Sequence, residues 1–237
     1  MRNDALMSAA GVEASTASVQ GARPGSSPRA ALHSIRVKPI PFAAAKAIIE
    51  ENHYLHSMPG GTCLAFGTFV GPSLLGALIL GRGPRNAATL VAGAEGGDCL
   101  TLTRLWLSDD LPRNSESRTI AVVLRSLRQH TSIKFLLSYA DPSQGHVGTI
   151  YQATGWLYTG LSAVMPLYDL GDGVARHSRS VGHSFGSHSV AHFQRHGVPV
   201  KLIPQAAKHR YICFVDSAWR ERLLVPVLPY PKKGATP

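Results

Sequence analysis

The chain has 237 residues, of which 44% are hydrophobic, and carries a formal net charge of +10. That length is enough for one substantial core, and the absence of a long uncharged apolar run excludes a membrane-spanning helix. Cys63, Cys99 and Cys213 have neither disulfide nor metal-ligand spacing, and the N-terminus lacks the apolar block of a secretory signal. These features predict an intracellular protein with reduced, buried thiols.

The excess positive charge is concentrated towards the C-terminus. Residues 171–237 contain ten Lys or Arg against three acids, together with six of the eleven histidines. Such a segment is typical of proteins that bind a polyanion, most simply nucleic acid, although a solubilising basic surface would look the same. We predict that 171–237 completes the fold and contacts DNA.

The N-terminal part reads as a leader followed by a strand and a helix. Residues 1–33 are rich in Ala, Ser and Gly without an apolar period, which predicts a disordered leader. IRVKPI, from Ile35, predicts a strand, and Pro41 opens a helix whose Phe42, Ala45 and Ile49 share one face. At the end of that helix stand His53 and Tyr54, which can bind a metal or a substrate, or simply cap the helix.

Three apolar runs follow. Residues 63–70 and 74–82, separated by a short Gly-Pro-Ser loop, predict a hairpin. CLTLTRLWL, 99–107, predicts a strand covered on both faces, in which Arg104 needs either an ion-pair partner or a place in a cleft.

A second helix begins near Ser115 and has an apolar stripe at Ile120, Val123, Leu124 and Leu127. We expect Ser115 to cap it. Arg113 and Arg118 flank its start, and a helix N-terminus with free amide donors and two arginines is suited to a phosphate. An ordinary capped surface helix is the alternative.

The stretch 133–156 combines an acid at a strand tip with a phenol on the next helix. An apolar strand, Ile133 to Ala140, runs into Asp141-Pro142, and a short helix then carries Tyr151. We expect both side chains to face one cleft. Asp141 could instead be the partner of Arg104, and Tyr151 could be a core tyrosine.

The remaining elements are a long or bent strand or hairpin at 156–170, a histidine stripe, and a last strand at 209–216. The stripe consists of His188, His192 and His196, for which a phosphate-facing surface is favoured over a metal site because no acid or cysteine accompanies them. The order of elements predicts an α+β fold with a mostly antiparallel central sheet flanked by helices, a core at 34–170 and a basic C-terminal extension.

This order resembles the GNAT acyltransferase fold. That resemblance implies acetyl-CoA or a related acyl-CoA as cofactor, with its pyrophosphate at the PRNSES turn, and a tyrosine, here Tyr151, that protonates the departing thiolate. The glycine-rich phosphate loop usual in that superfamily is replaced by Asn and Ser. The cofactor-binding residues implied are Arg113, Asn114, Ser115, Ser117 and Arg118.

The chain also resembles the phage Mom proteins. The resemblance is carried by NHYLH (52–56), LTRLWLSDDLPRNSES (102–117), YAD with GHVGTIYQATGWLYTG (139–160), HSRS (177–180) and KHRYI (208–212). It implies conversion of adenine in double-stranded DNA to N6-methylcarbamoyladenine, which protects phage DNA from host restriction endonucleases. Implied functional residues are Arg104, Ser126, Asp141 and Tyr151, with His53 and Tyr54 linked to iron.

Adenine N6 is a poor nucleophile, so such a reaction needs a proton acceptor and a proton donor. We select Asp141 as the acceptor and Tyr151 as the donor. Because N6 lies inside the duplex, the base must also be extruded. Candidates for stacking on that base are Tyr54, Phe66, Trp156 and Tyr158. Predicted DNA contacts are Arg176, His177, Arg179, Arg195, Lys208, His209, Arg210 and Tyr211. Two alternative functions stay open: a GNAT-type N-acetyltransferase acting on a protein or small amine, and a non-catalytic DNA-binding protein. The oligomeric state also stays open, with a homodimer as one possibility.

Overall fold

The computed structural model describes residues 34–164 and 166–232, except for the side chain of Arg179. The predicted leader, 1–33, lies outside the described residues. The strands are β1 Ile35–Pro39, β2 Thr62–Val70, β3 Ser73–Gly81, β4 Cys99–Leu107, β5 Phe135–Ala140, β6 Leu157–Leu161, β7 Leu167–Asp169, β8 Arg176–His177, β9 Lys201–Ile203 and β10 His209–Phe214. The helices are α1 Phe42–Asn52, α2 Ser115–His130, α3 Thr149–Ala153, α4 Ser178–Phe185 and α5 Val190–Arg195.

These elements divide into two units. The first contains the chain up to Tyr139 together with Gly148–Gly160 and Arg210–Tyr230, and the second contains Ala140–Val147, Leu161–His209 and the residues from Pro231 onward. No helix in the described ranges has the length and apolar character needed to cross a membrane.

A seven-stranded sheet with the order β1-β2-β3-β4-β5-β10-β6 is the largest feature. Strands β1 to β4 pair with one another in antiparallel fashion, whereas β4 and β5 pair in parallel. The apolar run of β3 is buried from Gly76 onward, as expected for a strand covered on both faces. The predicted α+β fold with a mostly antiparallel sheet is confirmed.

Pairing between β4 and β5 ends before either strand does. The register runs from Cys99 opposite Phe135 to Leu102 opposite Ser138, while β4 continues to Leu107 and β5 to Ala140. The two strands therefore separate beyond the Leu102–Ser138 position. Arg104, one of the predicted site residues, stands on the part of β4 beyond this position.

The helices cover the sheet through narrow apolar faces. In α1, Ala45 and Ile49 are buried against Ala65, Ala77 and Ile79. The expectation that Phe42 shares this face was wrong, because Phe42 is 38% exposed at the first turn of α1. In α2, Ile120, Val123 and Leu127 are buried as predicted.

Capping at the start of α2 differs from the prediction. Asn114, in a left-handed conformation with φ of 73°, is the N-cap residue, and no side chain caps the helix. Ser115 is the first helical residue, and its buried hydroxyl donates to the carbonyl of Pro112 instead. The reason is that Ser115 points into the core, where its hydroxyl needs a local acceptor.

A further part of the first unit's core joins β5 to β10. Phe135, Leu137, Cys99 and Ile212 are buried there together. Burial raises the pKa of Cys99 to about 12 and that of Cys213 to about 11, so both remain protonated thiols. The prediction that all three thiols are buried holds for Cys99 alone, since Cys63 and Cys213 are half-buried.

The second unit has its own small sheet, with the order β8-β7-β9. Its core consists of Tyr168, Val181 and Phe193, from β7, α4 and α5. The stretch expected to form one long strand or hairpin at 156–170 is therefore divided, since β6 belongs to the large sheet and β7 to the small one.

Gly148, just before α3, is required by the packing of the first unit. Its φ is +78°, and a Cβ atom at this position would lie 2.4 Å from Cε2 of Tyr211. We expect Gly148→Ala to lower the free energy of unfolding by about 2–4 kcal/mol, because overpacking adds to left-handed strain.

Gly145→Ala is the matched control for that measurement by urea denaturation. Gly145 has a φ of +68°, but nothing lies within 4 Å of its added Cβ, so only strain of about 1 kcal/mol applies. Equal losses in the two variants would contradict the packing argument.

Candidate functional site

Tyr151, the predicted proton donor, lies in an aromatic cluster of the first unit. It is 8% exposed, and its ring centroid is 5.1 Å from that of Trp156 and 5.3 Å from that of Tyr211. Burial raises the pKa of Tyr151 to about 12, although a hydrogen bond from Ser138 acts in the opposite direction. The phenol is therefore protonated at any ordinary pH, as a proton donor must be.

Ser138 is a site residue that the sequence reading missed. Its Oγ lies 2.7 Å from Oη of Tyr151 and 3.0 Å from the carbonyl oxygen of Leu102. It is buried at the last position where β4 and β5 pair. The signal in the sequence was a single hydroxyl in the apolar strand FLLSYA, since a buried polar group needs a partner.

The hydroxyl of Ser138 has one proton and two neighbouring acceptors. When that proton goes to the carbonyl of Leu102, Ser138 accepts a hydrogen bond from Tyr151. When the Ser138 hydroxyl instead donates its hydrogen bond to Oη of Tyr151, the O–H of the phenol is free to donate to another acceptor. Ser138 can therefore both hold and release the proton of Tyr151.

Asp141, in the second unit, is held by three hydrogen bonds. Its Oδ1 accepts from the amide of Ser143 at 3.0 Å and from the hydroxyl of Ser143 at 2.6 Å, and its Oδ2 lies 2.9 Å from Nζ of Lys208. Burial by itself would raise the pKa of Asp141, but the hydrogen bonds from Ser143 and Lys208 and the charge of Lys208 outweigh burial and lower it. Asp141 is therefore a carboxylate fixed in position.

The pairing of Asp141 corrects an expectation. Its ion-pair partner is Lys208, not Arg104, and Lys208, expected to contact DNA, is engaged with Asp141. The physical reason is that the segment before β10 returns to the residues that follow β5, so a lysine 67 positions later in the chain reaches the carboxylate.

Removing Lys208 tests the balance of effects on Asp141. In Lys208→Gln the charge and the hydrogen bond of the lysine, which both lower the pKa of Asp141, are lost while burial stays, so we expect that pKa to rise above its value in the unchanged protein. Carboxyl-carbon NMR titration measures this directly. The linkage has a definite sign: the pair stabilises the fold above about pH 4, the usual carboxyl value, and that stabilisation is lost as pH falls through the lowered pKa. An unchanged titration in Lys208→Gln would refute the assignment.

Arg104 lies on β4 beyond the point where β4 and β5 separate. Its Nε donates to the carbonyl of Ser57 at 3.1 Å and its Nη1 to the carbonyl of Thr103 at 2.8 Å. Burial lowers the pKa of Arg104, and the guanidinium remains charged at ordinary pH. No carboxylate within the described residues pairs with it, so the expected salt bridge is replaced by bonds to carbonyl groups.

Ser126, implied by the family resemblance, is half-buried within α2. It stands eleven positions after Ser115, which places it about 16 Å along the helix axis from the N-terminus. Its place on α2 is therefore remote from any phosphate bound at that terminus.

The predicted phosphate site is an accessible helix N-terminus. The first α-helical bond is donated by the amide of Arg118 to Asn114, so the amides of Glu116 and Ser117 precede it and have no acceptor within the helix. Arg113, Asn114 and Arg118 are exposed around these donors, and Ser117 is half-buried. Ser115 is buried and contributes no side-chain donor to a ligand.

His53 and Tyr54 form a stacked pair, with ring centroids 4.4 Å apart and an interplanar angle of 28°. Nδ1 of His53 accepts a hydrogen bond from the amide of Leu55 at 3.1 Å, which requires the proton of the neutral ring to be on Nε2. Neither nitrogen then offers a lone pair to iron. This arrangement does not fit a metal ligand, and in the described part of the chain no three His, Cys, Asp or Glu side chains form a metal-binding group.

Most predicted DNA contacts in 171–237 are engaged within the protein. Arg176 pairs with Asp172 through two hydrogen bonds, and Arg210 donates to both the hydroxyl and the carbonyl of Thr159 at 2.9 Å. Tyr211 is fully buried, and His209 is buried with a pKa lowered by that burial. Only His177 and Arg195 among those placed are exposed, and the side chain of Arg179 lies outside the described residues.

Of the four aromatic residues predicted to stack on the base, three are buried. Trp156 and Phe66 are fully buried and Tyr158 is buried, because all three pack inside the first unit. Tyr54 is exposed and is the one of the four placed to meet a base.

Comparisons with known proteins assign the chain to a family. A family model described as the Mom protein family matches residues 34–232. The chain is 31% identical over 204 residues to the methylcarbamoylase Mom of Escherichia phage Mu, covering 84% of each chain.

Solved structures also match the chain, at low sequence identity. An N-acyl amino acid synthase from uncultured soil microbes is 15% identical, with a TM-score of 0.45, and the match covers 80% of this chain and 95% of that one. A probable acetyltransferase from Staphylococcus epidermidis is 8% identical, with a TM-score of 0.44, over 76% and 98% of the two chains.

The family match spans both structural units and includes every placed residue of the candidate site, and the chain belongs to the Mom protein family.

Proposed function

We propose that the protein is a DNA-modifying transferase that converts adenine to N6-methylcarbamoyladenine. The observation that carries this proposal is the 31% identity to a methylcarbamoylase over 84% of both chains. In phage-infected cells, such a modification would protect the DNA from restriction endonucleases that read the adenine.

The carboxylate of Asp141 supports a role in orienting the adenine. The N6 lone pair is delocalised into the ring, so bond formation at N6 requires an acceptor for one of its protons. Asp141 is ionised and rigidly held by Ser143 and Lys208. Its lowered pKa keeps Asp141 ionised but makes it a weak base, so it orients the amine by accepting a hydrogen bond and takes the proton only as the new bond makes N6–H acidic.

Tyr151 and Ser138 support a role in proton donation. The phenol of Tyr151 is protonated. When Ser138 donates a hydrogen bond to Oη, the phenol can direct its own O–H to the substrate. A donor of this kind stabilises a developing oxyanion or a leaving group in a water-poor environment. Arg104, which is charged and held by the carbonyl groups of Ser57 and Thr103, supplies positive charge on the part of β4 that is not paired with β5.

The start of α2 supports binding of an acyl-CoA. The amides of Glu116 and Ser117, with Arg113, Asn114 and Arg118, would hold the pyrophosphate of such a carrier. Bound there, an acyl-CoA would supply a thioester whose carbonyl carbon is attacked by N6 and whose thiolate leaves. Because an acetyl group lacks the nitrogen of the product, the group transferred from this thioester has to be a methylcarbamoyl group rather than an acetyl group. Because the geometry of His53 does not fit a metal ligand, no step is assigned to iron.

The test is expression with a plasmid in bacteria, followed by mass spectrometry of the digested nucleosides. We expect a fraction of deoxyadenosine to carry the added methylcarbamoyl mass. Plasmid DNA with only unmodified deoxyadenosine, from cells that contain folded protein, would reject the proposal.

A GNAT-type N-acetyltransferase is the second candidate, since the open α2 N-terminus would serve any acyl-CoA. It predicts release of coenzyme A with a protein or small amine as acceptor and no change in plasmid nucleosides. Salt-sensitive DNA binding without either product would instead indicate a non-catalytic DNA-binding protein.

A further inference from the structure

The exposed side of α2 carries three arginines in one stripe. Arg118, Arg125 and Arg128 are all exposed, and at 100° per residue they lie within about 80° of arc and span about 15 Å along the helix axis. The small residue Ala121 is exposed between them. We refer to Arg118, Ala121, Arg125 and Arg128 as the α2 basic face.

The charge of this face is not balanced by the protein. Within the described ranges, none of the three arginines has a carboxylate within 4.0 Å. The one acid of α2, Glu116, projects about 160° away from Arg118. Arg125 and Arg128 are three positions apart, a like-charge spacing that destabilises an isolated helix by about 0.2–0.5 kcal/mol.

Helix α1 shows what an ordinary solvated face looks like in the same unit. There Lys46 is followed four residues later by Glu50, with 3.9 Å between their charged atoms. Mixed signs at this spacing are the usual arrangement on a surface helix. The uniform sign of the α2 basic face therefore calls for an external anion.

Part of the α2 basic face is also fixed in place. Nε of Arg128 donates to the carbonyl of Val215 at 2.9 Å, which restrains the guanidinium and leaves its two terminal nitrogens without a hydrogen bond within the described residues. Arginine, unlike lysine, presents a planar fork that binds phosphate oxygens in pairs. An immobilised guanidinium loses less entropy when it binds.

We propose that the α2 basic face binds the phosphodiester backbone of duplex DNA. This inference rests on the proposed function, which makes DNA the substrate, and it relocates the electrostatic contact from Arg176 and Arg210, which are occupied within the protein. Arg125 lies ten positions beyond Ser115, about 15 Å from the helix N-terminus, so the part of the face formed by Arg125 and Arg128 is distinct from the site for a cofactor pyrophosphate, which Arg118 borders. The small side chain of Ala121 lets a phosphate approach between the arginines.

The test is the salt dependence of binding to a labelled DNA duplex. Each phosphate contact contributes about 0.9 to the slope of log K against log salt concentration. We expect Arg125→Gln to reduce the magnitude of the slope by about 0.9 and the double variant Arg125→Gln/Arg128→Gln to reduce it by about 1.8. Lys46→Gln, on α1, is the matched control and should leave the slope unchanged.

The double variant loses the bond from Arg128 to Val215, which could disturb its folding. Arg125→Gln alone keeps the test valid, because Arg125 makes no side-chain hydrogen bond within the described residues. An Arg125→Gln slope equal to that of the unchanged protein overturns the proposal. Nucleoside analysis of plasmid from the unchanged protein separates the two hypotheses. Modified adenine with an unaltered Arg125→Gln slope rejects only the α2 basic face, whereas a reduced slope without modified adenine rejects only the proposed reaction.

Discussion

Replacing Tyr151 with phenylalanine is expected to reduce adenine modification by about two to four orders of magnitude, the usual contribution of a proton donor. The cost in stability should be only about 1 kcal/mol, because Ser138 keeps the carbonyl of Leu102 as a partner when the phenol is lost. Duplex DNA affinity should be unchanged. The measurement is the fraction of modified deoxyadenosine at matched protein levels.

Tyr211→Phe is the matched control, since it removes a phenol from the same aromatic cluster. Tyr211 is fully buried, and its hydroxyl accepts from Nε2 of Gln152 at 3.0 Å rather than from Ser138. We expect this variant to retain modification. Equal losses in the two variants would show that the cluster is structural and that Tyr151 does not donate a proton.

Ser138→Ala separates proton placement from the phenol itself. The variant keeps Tyr151 but removes the hydroxyl that holds its proton. Loss of one such hydrogen bond, about 1 kcal/mol, corresponds to a reduction in rate of roughly five- to tenfold. A rate equal to that of the unchanged protein would remove Ser138 from the mechanism.

Replacing Asp141 with asparagine is expected to reduce modification by about two orders of magnitude or more. An amide has no charge to attract the N6 protons, and its NH2 group competes with Lys208 for the same space as a second donor. Asp172→Asn is the matched control, because Asp172 also pairs with a cation of the second unit but is exposed and pairs with Arg176.

The pH profile gives an independent check on Asp141. Because its folded-state pKa is lowered, the carboxylate persists into acid, and activity should fall only as pH drops through that lowered value. In Lys208→Gln the acid limb of the profile should move to higher pH. An acid limb that stays in place would show that ionisation of Asp141 does not control the reaction.

Local patterns in the chain were sufficient for the elements and the fold class. The hairpin of β2 and β3, the buried face of α2 and the order of strands and helices follow from apolar period and turn residues, which act between near neighbours. The motif that contains Asp141 and Tyr151 was recognisable for the same reason. Ser138 was visible as a hydroxyl in an apolar strand, but its partner was not.

Pairings between distant residues could not be read in this way. Thr159 and Arg210 bond across 51 positions, and Asp141 and Lys208 across 67. Both pairs depend on how the chain returns after the small sheet, including the place of β10 between β5 and β6. Because local periodicity contains no information about strand order, the sequence located the basic residues and overestimated how many are available to DNA.

The sequence by itself therefore determined the α+β class, the family motifs and the chemical types of the candidate residues: a strand-tip carboxylate, a helix-borne phenol and the polar start of a helix. Only the tertiary structure decided which of these groups are held, buried or exposed. It placed Lys208 on Asp141 and Ser138 on Tyr151, buried Tyr211, and left the arginines of α2 facing solvent. The physical reason is that charge and proton position depend on burial and on partners, both of which are set by contacts between segments far apart in the chain.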